Sequence, residues 1–523
     1  MALFDRASLV QIPSGYKEGK LYNIKPFDQP FEFERGSAAT RVNEDGLIEY
    51  VGKGAELVTN GDFSDDSSFP SNGWTISSGS PVISNGKLTL PNNARVRQID
   101  VVETTEEYVG SIEISGLTQG YVDFYIGNVE KVSFDSNGTF SFFVSDPTST
   151  IIYLYAFDNF DGEIDNVSVK KVSNDTPRID YTNGKSLLLE PQRTNLVTDS
   201  NDFTTSGGWS LDSATISLNN TISPDGNLTA SLCKGDTDTS RHNVKKVTLT
   251  GSVSATCSVF VKAKELRYIQ IASANTGLQY ANFDVKDGVV GTVGSDFSNA
   301  KIEDYGNGWY RCSAVSTNQY NGFWISLVSG LNAGWLESWS MPNNTDGLYI
   351  YGAQVEQGSY ATSYIPTNGQ TETRLADVCQ GGGDESTFND SEGTLYGEFD
   401  VVQSGITNGL MFVSDGSFSN HIMLRFNPTH KFQIEGTGGV NVLDTTTRSN
   451  GKYKVAITYG SKSALFVNGT KVLEESDVFS GTGLNECGIG TSPYGNGEYN
   501  TCHIFAYFPE VLTDSELQTL TTI

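Results

Sequence analysis

The chain lacks the spacings that announce metal or disulfide chemistry. Its six cysteines, Cys233, Cys257, Cys312, Cys379, Cys487 and Cys502, form no Cys-x-x-Cys pair and do not cluster with the four histidines. That pattern gives no zinc site. None precedes Cys233, so the first module delimited below is no disulfide scaffold. Buried free thiols are expected elsewhere, with a single bridge as the alternative. Basic residues are scarce, 34 against 62 acidic for a net charge of −28, and no Lys/Arg run could track phosphates. Nucleic acid is excluded as a partner on that ground. The acidic surface favours solubility and offers carboxylates to cations, but says little about fold. No apolar run approaches 18 residues, so no membrane-spanning helix is predicted. The opening "MALFDRASLVQIPSGY" lacks a basic start followed by an apolar stretch, and no signal peptide is expected. Also missing are a DxDxDG loop, a Gly-x-Ser-x-Gly elbow, an HExxH helix, a phosphate-cradling loop and a coiled-coil heptad.

What is present reads as strand and turn. At 523 residues, with 55 Gly, 24 Tyr and 28 Phe, the chain suits about three domains of short strands joined by tight turns. Residues 57–63 read "LVTNGDF" and residues 196–203 read "LVTDSNDF", each followed by a Trp, Trp74 and Trp209. This repeat predicts two related modules, each beginning on a strand, with Phe63 and Phe203 plugging the core. Asn85-Gly86 and Asn468-Gly469 supply the positive φ angles of tight hairpins, and Asp287-Gly288 marks another turn. "LTDSELQTL" is the one convincing helix, its Thr513 and Glu516 matching a capping box, short and lying on the surface. The expected fold class is all-β, tandem antiparallel β-sandwiches. The divisions are an N-terminal segment 1–55, a module 56–172, a linker 173–195, a module 196–367, a linker 368–389 and a module 390–523. The segment 1–55 is too small for a large core of its own and needs neighbours or other copies.

Sugar recognition needs flat rings to stack on pyranose faces and a few carboxylates or amides for hydroxyls. The stretch "FWISLVSGLNAGWLESWSMPNNTDG" holds Trp324, Trp335 and Trp339 with Glu337 midway between the last two. In an extended segment Trp335, Glu337 and Trp339 would project to one side; the competing reading places Trp324 and one other Trp in the core. Trp74, Trp209 and Trp309 read as core. In "YLYAFDNFDG", Tyr155 and Phe157 lie beside Asp158 and Asp161, either as a binding-face loop or as a strand running into a turn.

Several of these strings resemble known families. "LVTNGDFS…NGW" with the closing "GEIDNVSVKKV" resembles jelly-roll carbohydrate-binding modules found beside glycoside hydrolases. "SLLLEPQRTNLVTDSNDF", "NGWYRCS", "LYIYGAQVEQGSYATSYIPT" and the leader "QIPSGYKEGKLYNIKP…FERGSAATRVNEDGLIE" resemble segments shared by bacteriophage tail-fibre and virion-associated proteins. The third module, with its Tyr453–Tyr459 strand, "FVNG" hairpin and closing helix, resembles a concanavalin A-like (laminin-G-like) lectin domain. Together these cover nearly the whole chain.

The resemblance implies two jelly-roll modules and a concanavalin A-like sandwich behind an N-terminal virion-attachment or oligomerisation segment. The function implied is a virion protein of adhesin type (tail fibre, tail tip or head fibre), assembled in the host cytoplasm. Its partners would be other virion proteins and cell-surface or environmental glycans, and a homotrimer is the favoured state. The rivals are a purely structural decorating protein and a polysaccharide depolymerase. The carbohydrate-binding likeness also suggests a structural calcium, with Asp62 and Asp165 brought together by adjacent first and last strands; the alternative is turn-forming Asp. For catalysis the best pair is Glu398 and Asp400, alternating on one strand. Glucanases of the lectin-like fold carry a third carboxylate where this chain has Val402. A non-enzymatic role is expected.

Overall fold

The computed structural model describes residues 3–523 apart from 18, 67, 129, 146, 252–253, 274–276, 318–319, 404–405, 437–439, 476–480 and 492–498. The chain is all-β, in tandem antiparallel β-sandwiches, with one α-helix among the described residues, Asp514–Thr521.

The first sandwich is wrapped from a nine-stranded sheet around two long strands, Tyr108–Ile126 and Ile152–Val172. Both bend midway, where the ladder between them shifts register on either side of Gln119. Gly120 sits there at φ +73°, and a Cβ would lie 2.5 Å from the Phe157 carbonyl oxygen; only glycine fits that turn. Each long strand therefore serves both layers of one core. The second sandwich is two six-stranded sheets, one spanning Ser210–Asp212 to Val289–Val293 and the other Ala214–Thr221 to Phe297–Asp304. Asn85-Gly86 and Asn468-Gly469 both take positive φ between paired strands.

The duplicated openings are built alike but are turns, not strands. Asp62 accepts the N–H and hydroxyl of Ser64, and Asp202 those of Thr204, so each Asp folds the chain back on itself. The fold-back drives Phe63 and Phe203 inward, against Trp74 and Trp209 at 5.6 and 5.0 Å. The indole N–H of each Trp donates 3.1 Å to the carbonyl of the residue at the same place in its repeat, Asn60 or Asp199.

The third sandwich departs most from the divisions drawn on the sequence. Leu9–Gln11 pairs with Asn500–Phe508 in one sheet, and Phe31–Glu34 pairs with Val378–Gly382 in the other. From the stretch expected to link modules, Arg178–Asp180 and Ser186–Leu189 also join the first of these sheets. Leu9, Leu21, Phe31, Phe33, Leu187 and Leu189 lie in the core with Leu395, Phe432 and Phe505. Segments within residues 9–34 and parts of the two linkers thus supply strands to the C-terminal sandwich, while Arg193–Asn195 and Glu372–Arg374 pair with each other in a separate two-stranded sheet. Residues 40–50 form a hairpin whose Ile48 packs on the second sandwich while Tyr50 stacks on Phe143 of the first. The closing helix lies on the outer face of the sheet containing Gly393–Val401, capped by Thr513 and Glu516 and burying Leu517 and Leu520.

A buried ionic cluster joins Arg35, Arg178, Glu190, Arg374 and Asp377 to the 359–364 loop of the second sandwich. Arg178 pairs with Glu190 at 2.6 Å and with Asp377; Arg35 pairs with Asp377 at 3.1 Å and Arg374 with Glu190 at 2.8 Å. Ser363 donates its N–H and hydroxyl to the same Glu190. Burial pushes the Glu190 carboxyl up, but Arg374 and Arg178 outweigh it and hold it at about 2, below its ordinary 4.5. A depressed carboxyl contributes stability that is present above its unfolded value and lost as pH falls through the folded one. Acid unfolding of the intact chain is therefore expected to set in between pH 4.5 and 2, with mutation of Glu190 to Gln flattening that limb in a tryptophan-fluorescence titration.

All six thiols are free and buried. Burial pushes Cys233 and Cys257 up to about 12, which leaves them unreactive.

Candidate functional site

Strand alternation gives the first sandwich an outward aromatic face. Val122, Phe124 and Ile126 enter the core, as do Ile152, Leu154 and Ala156. Tyr121, Asp123 and Tyr125 on one strand, and Tyr153, Tyr155 and Phe157 on its neighbour, therefore project the other way. In register, Tyr121 faces Phe157, Asp123 faces Tyr155, and Tyr125 faces Tyr153. Tyr121 stacks on Phe157 at 5.2 Å, and Tyr125 on Tyr153 at 4.1 Å. Tyr155 meets Phe157 at 4.1 Å, inclined by 46°. Arg95, opposite Tyr155 on the next strand, lays its guanidinium 3.8 Å over the Tyr153 ring. Its Nε has no hydrogen-bond partner. Asp123 is buried at the centre and accepts from the Tyr125 hydroxyl at 3.2 Å and the Ser133 hydroxyl at 2.5 Å. Burial, then Asp123, pushes Tyr125 up to about 12, so its hydroxyl keeps its proton. The face is a row of flat rings with a cation at one edge and a carboxylate at its centre.

Tyr155 and Phe157 are thus on a strand, and the strand continues through Asp158 and Asn159 at positive φ. Phe160 belongs to the core instead. Arg95, Tyr121, Asp123, Tyr125 and Tyr153 escaped the sequence reading. Their signal was the polar-aromatic half of the alternation in "YVDFYIG" and "IIYLYAF"; the pairing of the two strings in register was not visible.

A second face lies on the second sandwich. Phe323, Ile325 and Leu327 enter its core, which turns Trp324 outward. Trp335 joins it from the following loop, with ring centroids 6.3 Å apart and planes 23° from parallel. Arg241 lies 5.0 Å above Trp335, and the Lys245 ammonium 5.3 Å from Trp324. The Trp335 indole N–H is spent on the Ser273 carbonyl at 3.0 Å, which fixes the ring. Trp335, Glu337 and Trp339 do not share one side, because the segment turns at Leu336, held at φ +45°. Trp339 packs against the core, its N–H on Leu327 and its ring edge-on to His242. Glu337 accepts the Ser329 N–H at 2.9 Å. The structure brings together Trp324 and Trp335, and separates Trp339 and Glu337 from them.

Asp62 and Asp165 are neighbours near the seam of the first sandwich. Burial raises the Asp165 carboxyl, and Glu113 and Asp62 add to the rise. Among the described residues no three His, Cys, Asp or Glu side chains gather as a metal site. The Asp62 turn is duplicated by Asp202, and the two carboxylates alone fall short of the six to eight oxygens that calcium takes.

Glu398 and Asp400 do share a strand face, but Glu398 is paired with Lys452 at 2.5 Å and Asp400 accepts from His503 Nε2 at 3.0 Å.

No protein-family model matches the chain, and no curated protein matches it. Among solved structures it is similar to the CBM40 of Ruminococcus gnavus IT-sialidase bound to alpha2,3 sialyllactose, at 18% identity and TM-score 0.24, over 26% of this chain and 84% of that one. It is also similar to the CBM22-1-CBM22-2 tandem domain of Paenibacillus barcinonensis Xyn10C, at 14% identity and TM-score 0.19, over 59% and 99%. Trypanosoma rangeli sialidase aligns at 11% identity and TM-score 0.24, over 99% and 97%. What the chain does is therefore read from its own side chains.

Proposed function

We propose that the chain is a bacteriophage virion protein of adhesin type, whose sandwiches hold glycans rather than cleave them. The observation that carries the binding half is the outward ladder Tyr121/Phe157, Asp123/Tyr155 and Tyr125/Tyr153 edged by Arg95. Flat rings bind the C–H faces of pyranoses, and fixed polar groups beside them select hydroxyls. Trp324 with Trp335 forms a second such platform. Each site would be weak alone, and repetition in a homo-oligomer, a trimer by preference, would supply avidity. The ion-paired Glu398 and Asp400 favour binding over depolymerisation.

The virion half rests on the phage-type strings. Those strings contribute Arg35, Glu190 and Ser363 to the central cluster. Attachment to other virion proteins belongs to the proposal, and immunogold labelling of intact particles tests it. A calcium between Asp62 and Asp165, completed by backbone carbonyls, also stays within it; an unchanged melting temperature in EDTA would remove it. For the first face, the double replacement of Tyr155 and Phe157 by Ala is expected to weaken binding to at least one glycan captured on an array by about 30-fold or more. Retained binding of every captured glycan in that variant and in Trp324→Ala would overturn the faces, and a native chain that captures no glycan would leave the decorating-protein rival standing.

A further inference from the structure

A cleft of about 750 Å³ separates the outer face of the second sandwich from the edge of the third, within the range of small-ligand sites, about 300–1,000 Å³. Its floor includes Thr256, Ser313 and Val315, its far wall Asp400, Gln403 and Asn450, and one end is closed by the loop 359–364. Thr182, Asn183, Asn299 and Asn450 at its rim are exposed, so it opens to solvent.

Most charges facing this cleft are already paired within the chain. Glu190 is held by Arg178 and Arg374, Glu303 by Lys301, Asp400 by His503, Lys452 by Glu398 and Arg41 by Glu49. Asp180 accepts the N–H groups of Val42 and Thr182, and Arg311 donates to the Thr362 carbonyl and the Ser258 hydroxyl. An ionic ligand would have to break one of these pairs or displace the backbone and hydroxyl partners of Asp180 and Arg311. What the cleft offers instead is neutral: hydroxyl and amide side chains, and the rings of Tyr305, Tyr360 and Tyr499. Tyr360 and Tyr499 meet edge-on at 5.0 Å. The Tyr360 side chain is 8% exposed, and its hydroxyl has no hydrogen-bond partner. Buried hydroxyls are seldom left so, and this one stands in the wall of a cleft large enough to receive an acceptor.

We infer that this cleft is a further binding site, for a neutral polyhydroxylated ligand of oligosaccharide size seated between the second and third sandwiches. It goes beyond the aromatic faces and shares with them only the class of ligand.

The test uses the full chain and a panel of neutral tri- to pentasaccharides built on glucose, mannose, galactose or N-acetylglucosamine, with affinity read by calorimetry. Three variants accompany the native protein: Tyr360→Phe, which removes only the unpartnered hydroxyl; Ser313→Trp, which fills the floor; and the triple replacement of Tyr155, Phe157 and Trp324 by Ala. One saccharide is expected to bind the triple variant unchanged, to bind Tyr360→Phe about tenfold more weakly, and to be lost in Ser313→Trp. Should Ser313→Trp fail to fold, Tyr360→Phe decides alone. Binding that vanishes in the triple variant and ignores Tyr360→Phe overturns the cleft and leaves the faces standing. A panel in which no saccharide loses affinity in the triple variant, while one loses it in Tyr360→Phe, overturns the faces and leaves the cleft. A panel with no binder overturns the cleft.

Discussion

Replacing Asp377 by Ala is expected to lower the thermal unfolding midpoint by on the order of 10 °C. Asp377 is fully buried and accepts from Arg35 and Arg178, and its Oδ2 also takes the Glu190 N–H at 2.8 Å. Removing it leaves Arg178 with Glu190 alone and takes from Arg35 the carboxylate it pairs with. Breaking a buried pair in this way costs about 3–5 kcal/mol, far more than the net worth of the pair when intact. In domains of this size each kcal/mol moves the midpoint by about 2–4 °C. The strain on the remaining charges is visible already: burial, only partly offset by Asp377, pulls Arg35 down to about 10. Because the cluster ties strands of the third sandwich to Ser363 of the second, the variant should also separate the calorimetric transitions of those two sandwiches. The control is Arg6→Ala, at the solvent-exposed pair with Glu510 and Glu516, where little change is expected. A variant at position 377 that melts with the native protein would show that the cluster does not hold the modules together.

The contrast between that cluster and the rest of the fold shows what the sequence carries. Local rules were legible where a residue acts on its own neighbours: Asn85-Gly86 and Asn468-Gly469 as hairpins, Thr513 with Glu516 as a helix cap, Phe63 and Phe203 as buried plugs. The strand assigned to each opening failed because Asp62 and Asp202 bond two residues ahead, a turn preference the apolar "LV" outweighed in the reading. Asp377, Arg178 and Arg35 are 199 and 342 positions apart along the chain, and no periodicity marks such partners. The same limit applied to the site. Tyr155 and Phe157 were visible as aromatic residues, but Tyr121 and Arg95 became their neighbours only through strand register. Trp324 and Trp335 met because Leu336 adopts a left-handed turn, which non-glycine residues seldom do and a sequence does not advertise.

Deleting residues 1–35 is expected to abolish folding of the C-terminal sandwich, not to release an appendage. Leu9, Leu21, Phe31 and Phe33 are each 1% exposed or less within its core. Burying four such side chains is worth about 6–12 kcal/mol at 1.5–3 each, comparable with the whole net stability of a domain at about 5–15 kcal/mol. The deletion would also bare the ladder edges of Val378–Gly382 and of Asn500–Phe508 where Leu9–Gln11 now pairs, and open edges beside an apolar core invite aggregation. Residues 36–523 alone should therefore be largely insoluble, or give a particle whose C-terminal third is cleaved first by a dilute protease. A synthetic 1–35 peptide added during refolding should restore solubility, because strands can be supplied to an open sheet edge in trans. If residues 36–523 are instead soluble and melt like the intact chain, the leader is dispensable to the sandwich, and its strands serve contacts with other chains. The same peptide then discriminates further: a leader that pairs only within its own chain leaves the intact protein's sedimentation unchanged, whereas one that exchanges between copies lets the labelled peptide enter the oligomer.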